Sequence, residues 1–201
     1  MFAGRSAICL AAMLLLAPAA IAGAELPSAA ELMDDLMWNR GPIGGPFTLT
    51  DHSGRRRSDT DFRGKLMLVY FGYTTCPDIC PTDLMTIAQA VDALGARGDA
   101  VQPIFITVDP ERDTVPRLAD YVSSFHPRLI GLTGTPAEIR KVALAYKAYY
   151  AKRETERGED YTIDHTGVTY IVGSEGRYLG FVPPQTSAER LVEVIREQLR
   201  K

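Results

Sequence analysis

Lys65-Leu66-Met67-Leu68-Val69-Tyr70-Phe71-Gly72-Tyr73-Thr74-Thr75-Cys76-Pro77-Asp78-Ile79-Cys80-Pro81-Thr82-Asp83-Leu84 runs an apolar segment directly into a pair of cysteines. Leu66 to Phe71 is continuously apolar and carries Val, Tyr and Phe, the composition of a strand buried on both faces among parallel neighbours. Gly72 to Thr75 breaks the pattern, and Cys76 and Cys80 follow, each before a proline. A residue before proline is pushed away from the α region, so the two cysteines are expected to flank a turn. Pro81 then suits the first position of a helix, with Asp83 in its first turn facing the positive terminus. Leu84, Ile87, Ala88, Val91 and Leu94 continue at helical spacing. The sequence thus predicts two thiols at a strand-to-helix junction, where the helix terminus favours thiolate.

Working outward, the chain of 201 residues, 46% hydrophobic, is long enough for one well-packed domain and short for two. A formal net charge of −3 gives no bulk attraction for nucleic acid. Arg5 is the only charge in the first 24 residues, an apolar run from Ala7 to Ala22 follows, and Ala20-Ile21-Ala22 and Ala22-Gly23-Ala24 offer small-residue cleavage sites. Residues 1–24 are therefore expected to be a signal peptide or a membrane anchor. Cleavage is favoured, because the run falls short of the roughly 20 apolar residues that span a bilayer. Residues 25–43 are expected to form an N-terminal helix and linker, and 44–201 the folded domain. Of three cysteines, Cys9 lies in the leader, leaving Cys76 and Cys80 to the mature chain. A purely structural disulfide between them would close too small a loop to stabilise much.

Ser28-Ala29-Ala30-Glu31 has the form of a capping box opening a short surface helix. Phe47 to Thr50 and Arg56 to Ser58 read as a hairpin across Asp51-His52-Ser53-Gly54, with Arg55-Arg56-Arg57 as a solvated turn and edge or a docking patch for an acidic partner. Gln102 to Val108 is a second buried strand, Asp113 to Pro116 opens a helix, and Leu129 to Leu132 is a short strand. Thr135-Pro136-Ala137-Glu138 caps a helix expected to reach about Tyr150. The polar stretch 151–164 is expected to be an exposed excursion or hairpin, followed by a strand over Gly167 to Val172, its antiparallel return over Arg177 to Val182 and a last helix from Thr186. Strands alternating with helices, then a hairpin and helix, predict an α/β fold with a central mixed sheet flanked by helices. Cysteines at the end of the strand before the first core helix make the thioredoxin-like arrangement the best match. No glycine-rich phosphate loop is present.

Two thiolates four residues apart suit a soft metal or reversible disulfide chemistry, and a third ligand would decide between them. His52 falls in a hairpin turn and His126 at a helix end, so both are expected to be solvated or capping. His165 enters the Gly167 strand, beside the start of the first core helix in a thioredoxin-like fold. Cys76, Cys80 and His165 would form a site of two sulfurs and one nitrogen, suited to Cu(I) and Zn(II), with availability favouring copper in an exported protein. Asp164 is expected either to orient the imidazole or to be a solvated loop residue, and Asp78 to be a turn former, or else to tune the thiolates or touch the metal.

Here the sequence resembles the SCO/SenC family of copper-binding proteins. The resemblance rests on Cys76-Pro77-Asp78-Ile79-Cys80-Pro81, Asp109-Pro110-Glu111-Arg112-Asp113-Thr114 and Asp164-His165, and extends over about Gly44 to Leu199. It implies a thioredoxin-like fold and one copper ion held by Cys76, Cys80 and His165. It also implies delivery of that copper to the CuA centre of cytochrome c oxidase, with the oxidase's copper-bearing subunit and other copper chaperones or thiol reductants as partners. An exported, periplasmic protein follows, soluble or tethered to the inner membrane; the N-terminus is closer to a cleavable signal than to the anchor of many relatives. The alternative from the same residues is a thiol-disulfide reductase in which Cys76 and Cys80 are a redox-active pair. The wider Cys-x-x-x-Cys spacing counts against it. A peroxidase would need a threonine three residues before Cys76, where Tyr73 stands.

Overall fold

A computed structural model describes Met1 and residues 27–154 and 161–200. The leader expected over 1–24 therefore lies, Met1 aside, outside the described residues, none of whose helices is long and apolar enough to cross a membrane. The chain begins with α1 (Ala29–Met37), where the predicted capping box is complete: the Ser28 hydroxyl accepts from the Glu31 N–H, and the Glu31 carboxylate accepts from the Ser28 N–H at 2.8 Å. Leu32 and Leu36 bury its inner face. The hairpin of β1 (Thr48–Asp51) and β2 (Arg56–Ser58) follows. Its three arginines are paired with carboxylates, Arg55 with Asp51, Arg56 with Glu138 and Arg57 with Asp61, so the run braces its own edge.

The central strands β3 (Leu66–Gly72) and β4 (Val101–Thr107) are buried at every position, as continuous apolar runs require of parallel neighbours covered on both faces. With β5 (Ile130–Thr133) they form the parallel heart of a seven-stranded sheet. Beyond the heart, β8 (Thr169–Val172) and β9 (Tyr178–Val182) run antiparallel on the β3 side, and the hairpin joins β5 on the other, giving the order β2-β1-β5-β4-β3-β8-β9. The helices α2 (Ile79–Ala93), α3 (Val115–Ser123), α4 (Pro136–Ala145) and α5 (Ala188–Gln198) cover the sheet. Alternation along β3 divides the core: Tyr70 reaches the α2 side, where its hydroxyl meets Asp83, while Phe71 stacks with Tyr146 and Tyr170 on the other. This is the thioredoxin-like fold, with α2 packed against α5 behind the cysteines.

One connection differs from expectation, and a second takes the hairpin form of its two expected readings. Helix α4 stops at Ala145, five residues short, because Lys147 adopts the left-handed conformation (φ 57°) and closes a Schellman motif. The Ala148 N–H donates to the Ala143 carbonyl at 2.8 Å and the Lys147 N–H to Leu144 at 3.1 Å. Lysine in place of the usual glycine hid this end, and its amine is held by Asp35 at 2.9 Å. The polar excursion is a ladder of its own: β6 (Tyr150–Glu154) pairs with β7 (Tyr161–His165) as a two-stranded sheet separate from the main one, with 155–160 outside the described residues. That arm carries His165.

Candidate metal centre

Strand β3 ends at Gly72, and the loop from Tyr73 to Asp78 turns the chain into α2. The loop is held at Thr74: its N–H and hydroxyl donate to the Asp113 carboxylate at 2.9 and 2.6 Å, and the Thr107 hydroxyl donates to the same group at 2.6 Å. Asp113 is fully buried, and that burial pushes its carboxyl pKa up against the hydrogen bonds that hold it charged. The sequence marked Asp113 only as part of a motif and as a helix opener. A buried acid whose main partner, Thr74, lies 39 residues upstream leaves little local signal.

Helix α2 starts earlier than expected. Ile79 is its first residue, so Cys80 lies inside the first turn and Pro81 third, not first. Proline is tolerated there because the first four helical N–H groups lack intrahelical acceptors, so the missing donor breaks no bond. Asp83 also departs from its expected place at the helix terminus. It turns into the protein, where it accepts from the Tyr70 hydroxyl at 3.1 Å and the Gln185 N–H at 2.9 Å. Burial raises the pKa of this carboxyl too.

At this junction the sulfurs of Cys76 and Cys80 and a ring nitrogen of His165 lie within 4.8 Å of one another, a spacing that can hold a metal ion. Neither cysteine is in a disulfide; Cys80 is fully buried and Cys76 partly exposed. The His165 Nε2 atom is 3.2 Å from the Cys80 sulfur, and Nδ1 is 3.3 Å from the Thr166 carbonyl. In the tautomer with the proton on Nδ1, donated to that carbonyl, the Nε2 lone pair faces the sulfurs and is free for a metal, whereas a proton on Nε2 is donated to them instead. Tyr73 and Tyr70 stand edge-on to the imidazole, with centroids 5.7 and 6.3 Å away, and wall the site with buried aromatic surface. Gly167 makes the approach close: a Cβ there would stand 2.7 Å from Ile79 Cδ1, at the head of α2.

The two thiols divide one charge. The Cys80 thiol donates to Cys76 and, with His165 and the N–H groups of Asp78 and Cys80, brings the Cys76 pKa down to about 3 against its partial burial. Giving that hydrogen bond to the Cys76 thiolate, together with its own burial, pushes Cys80 far up. The exposed sulfur is thus the thiolate and the buried one the thiol.

The remaining predicted residues fall outside the cluster. Asp164 points away and pairs with Arg153 at 2.7 Å, so it does not orient the imidazole; the Thr166 carbonyl does. The cause is strand alternation, since neighbours in β7 face opposite sides. Asp78 precedes α2, exposed and with no side-chain cap bond. The His52 ring accepts the Gly131 N–H at 3.1 Å, and His126, expected to be solvated, is 5% exposed, with Nδ1 accepting the Arg128 N–H and Nε2 against Asp92.

A family model described as SCO1/SenC matches residues 37–200. The chain belongs to the SCO1/SenC family. Among curated SCO relatives, "Protein SCO1 homolog, mitochondrial" of Homo sapiens is 45% identical over 141 residues, covering 69% of this chain and 47% of that protein. The chain thus spans about half the length of that relative. Among solved structures, Arabidopsis thaliana ScoI with copper bound is similar at a TM-score of 0.74 and 43% identity, covering 79% of this chain and 98% of that one. Bradyrhizobium japonicum ScoI with copper bound is similar at a TM-score of 0.72 and 44% identity, covering 78% and 99% respectively.

Proposed function

We propose that this chain is a copper metallochaperone that holds one Cu(I) ion through the sulfurs of Cys76 and Cys80 and Nε2 of His165, and delivers it to the CuA centre of cytochrome c oxidase. The observation that carries the reading is the convergence of two sulfurs and one imidazole nitrogen within 4.8 Å, on a fold similar to copper-bound ScoI structures. Soft sulfur with one imidazole suits Cu(I). Cys76 is already a thiolate, so only the Cys80 proton has to leave on binding. Handover is ligand exchange: a thiolate or imidazole of the oxidase's copper-bearing subunit bonds to the ion as the partly exposed Cys76 lets go, with no net oxidation. Upstream copper chaperones and thiol reductants are the partners that load it. The protein works on the far side of the export machinery, in the periplasm, with residues 1–24 as its leader or tether.

The second reading, a thiol-disulfide reductase, is favoured by the exposed Cys76 thiolate backed by the buried Cys80 thiol. In it, Cys76 attacks a partner disulfide and Cys80 then displaces the partner's sulfur, leaving a Cys76–Cys80 disulfide. One titration separates them. Reduced protein competed against a Cu(I) chelator should bind one equivalent, and His165→Ala should lose most of that affinity. Affinity unchanged on losing His165 would sink the ligand assignment and favour the reductase.

A further inference from the structure

His165 is delivered by an arm that the main sheet does not hold. Among the described residues, strands β6 and β7 pair with each other and with no strand of the main sheet, so the position of the imidazole relative to the sulfurs depends on what fastens the arm to the rest of the molecule. One fastening is a polar cluster built by the loop between β4 and α3. The fully buried Asp109 carboxylate accepts from the Tyr161 hydroxyl at 2.8 Å through one oxygen and from Arg112 Nε at 2.5 Å through the other. Arg112 reaches on to the Tyr161 carbonyl at 3.0 Å, and its guanidinium lies over the Tyr161 ring, 3.7 Å from the centroid. Lys152, on β6, stands 4.4 Å from the same ring and pairs with Glu111 of the loop at 2.5 Å. Further up β7, the Ile163 N–H donates to the Tyr73 hydroxyl at 3.3 Å. Both strands of the arm are thus fastened to this loop, β7 at Tyr161, the end opposite His165, and β6 at its middle residue Lys152, while Tyr149 and Thr166 bond to each other at the near end.

We propose that Asp109, Arg112 and Tyr161 are positioning residues for the metal site, a clamp that sets how much of the time His165 stands within bonding distance of the two sulfurs. The inference rests on the reading of His165 as a ligand, and none of the three donates to the metal. A charged acceptor shared by a hydroxyl and a guanidinium, with a cation stacked on the ring, is a strong polar arrangement for holding the arm. A phenol four residues from the imidazole on a strand transmits its position along a stiff extended backbone. The cysteine loop is held by α2 and by the Asp113 carboxylate, and losing the Tyr161 hydroxyl removes neither contact, so it loosens the imidazole first.

Tyr161→Phe tests this, because it keeps the ring under its cations and removes the hydroxyl that bonds Asp109 and faces Lys152. Partners that orient metal ligands typically contribute about 10–100-fold in affinity, and the lower end, about tenfold, is expected for a residue acting along a strand. Cu(I) affinity is measured by chelator competition for the wild type, Tyr161→Phe, His165→Ala and the double variant. The expected result is a loss in Tyr161→Phe that vanishes in the His165→Ala background, since a clamp acting through the imidazole has nothing left to position. A loss of equal size in both backgrounds would show a general weakening and overturn the proposal, as would no loss at all. Amide hydrogen exchange on the metal-free protein gives a readout independent of copper: the amides of Ile163 and Thr166 should exchange faster in Tyr161→Phe, and unchanged protection would overturn the clamp. If His165→Ala alone leaves affinity unchanged, it is the ligand reading that fails, and the exchange result still reports whether the arm was fastened here.

Discussion

Replacing Gly72 by alanine tests the geometry of the centre with a single methyl group. That carbon would stand 2.7 Å from the Cys80 sulfur, 2.9 Å from Phe105 Cε2 and 3.1 Å from Tyr70 Cε1, against the roughly 3.5–4.0 Å at which such atoms rest. Phe105 and Tyr70 are fully buried, and the Tyr70 hydroxyl is tied to Asp83, so neither ring has room to yield. The strain therefore falls on the Cys80 side chain or on the first turn of α2. Overpacking of this kind costs about 1–3 kcal/mol, which at about 2–4 °C per kcal/mol for a domain of this size lowers Tm by roughly 2–12 °C. The sulfur has to move by something approaching 1 Å, well beyond the ~0.2 Å tolerance of a metal–ligand bond, so Cu(I) affinity should fall by at least about tenfold. Thermal melting of the reduced, metal-free protein reads the first effect and chelator competition the second. Gly131→Ala is the control: its methyl would meet Val122 Cγ1 at 2.8 Å on β5, away from the sulfurs, and should lower Tm while leaving copper binding intact. A folded Gly72→Ala protein that binds copper as the wild type does would refute the placement of Cys80 against the end of β3.

The thiol pair predicts a specific pattern of alkylation and stability. Iodoacetamide should modify Cys76 alone in the folded protein, at a rate nearly flat from about pH 5 to 8, with Cys80 reacting only on unfolding; rates rising tenfold per pH unit would contradict the thiolate assignment. Between a folded pKa of about 3 and the thiol's ordinary value of 9.0, the unfolded chain binds the Cys76 proton that the folded one has lost, so this group's contribution to stability rises with pH over that window and is lost in acid. Above 9.0 the raised Cys80 reverses the slope, because the unfolded chain then releases a proton the folded one keeps; urea titrations of the reduced protein across pH check both signs. Asp113→Ala strips the acceptor from the Thr74 N–H and from the Thr74 and Thr107 hydroxyls, and at about 1–3 kcal/mol for a buried group left unsatisfied it should cost at least about 2 kcal/mol in urea unfolding. A change under about 0.5 kcal/mol would show that the loop does not depend on it.

How far the sequence reveals the site depends on the range of the interactions that build it. Caps are local, and the boxes at Ser28 and Thr135 formed as their residues require. The buried strands announced themselves by composition, and the cysteines by standing at the end of one. Strand periodicity settles Asp164: it is adjacent to His165 in β7, so with His165 turned to the sulfurs Asp164 has to face away. What no local pattern could reveal is the polar scaffold, because Asp83, Asp113 and His126 find their partners across the fold and look, in one dimension, like ordinary turn or helix-end residues. The Asp109-Pro110-Glu111-Arg112-Asp113-Thr114 stretch gains its meaning only in three dimensions. It supplies none of the three donors, yet Asp113 holds the loop that carries Cys76, and Asp109 with Arg112 holds the strand that ends in His165. One short loop thus fastens both halves of a site whose donors lie 85 residues apart. The distance between the thiols and the imidazole is therefore a property of that loop as much as of the donors themselves.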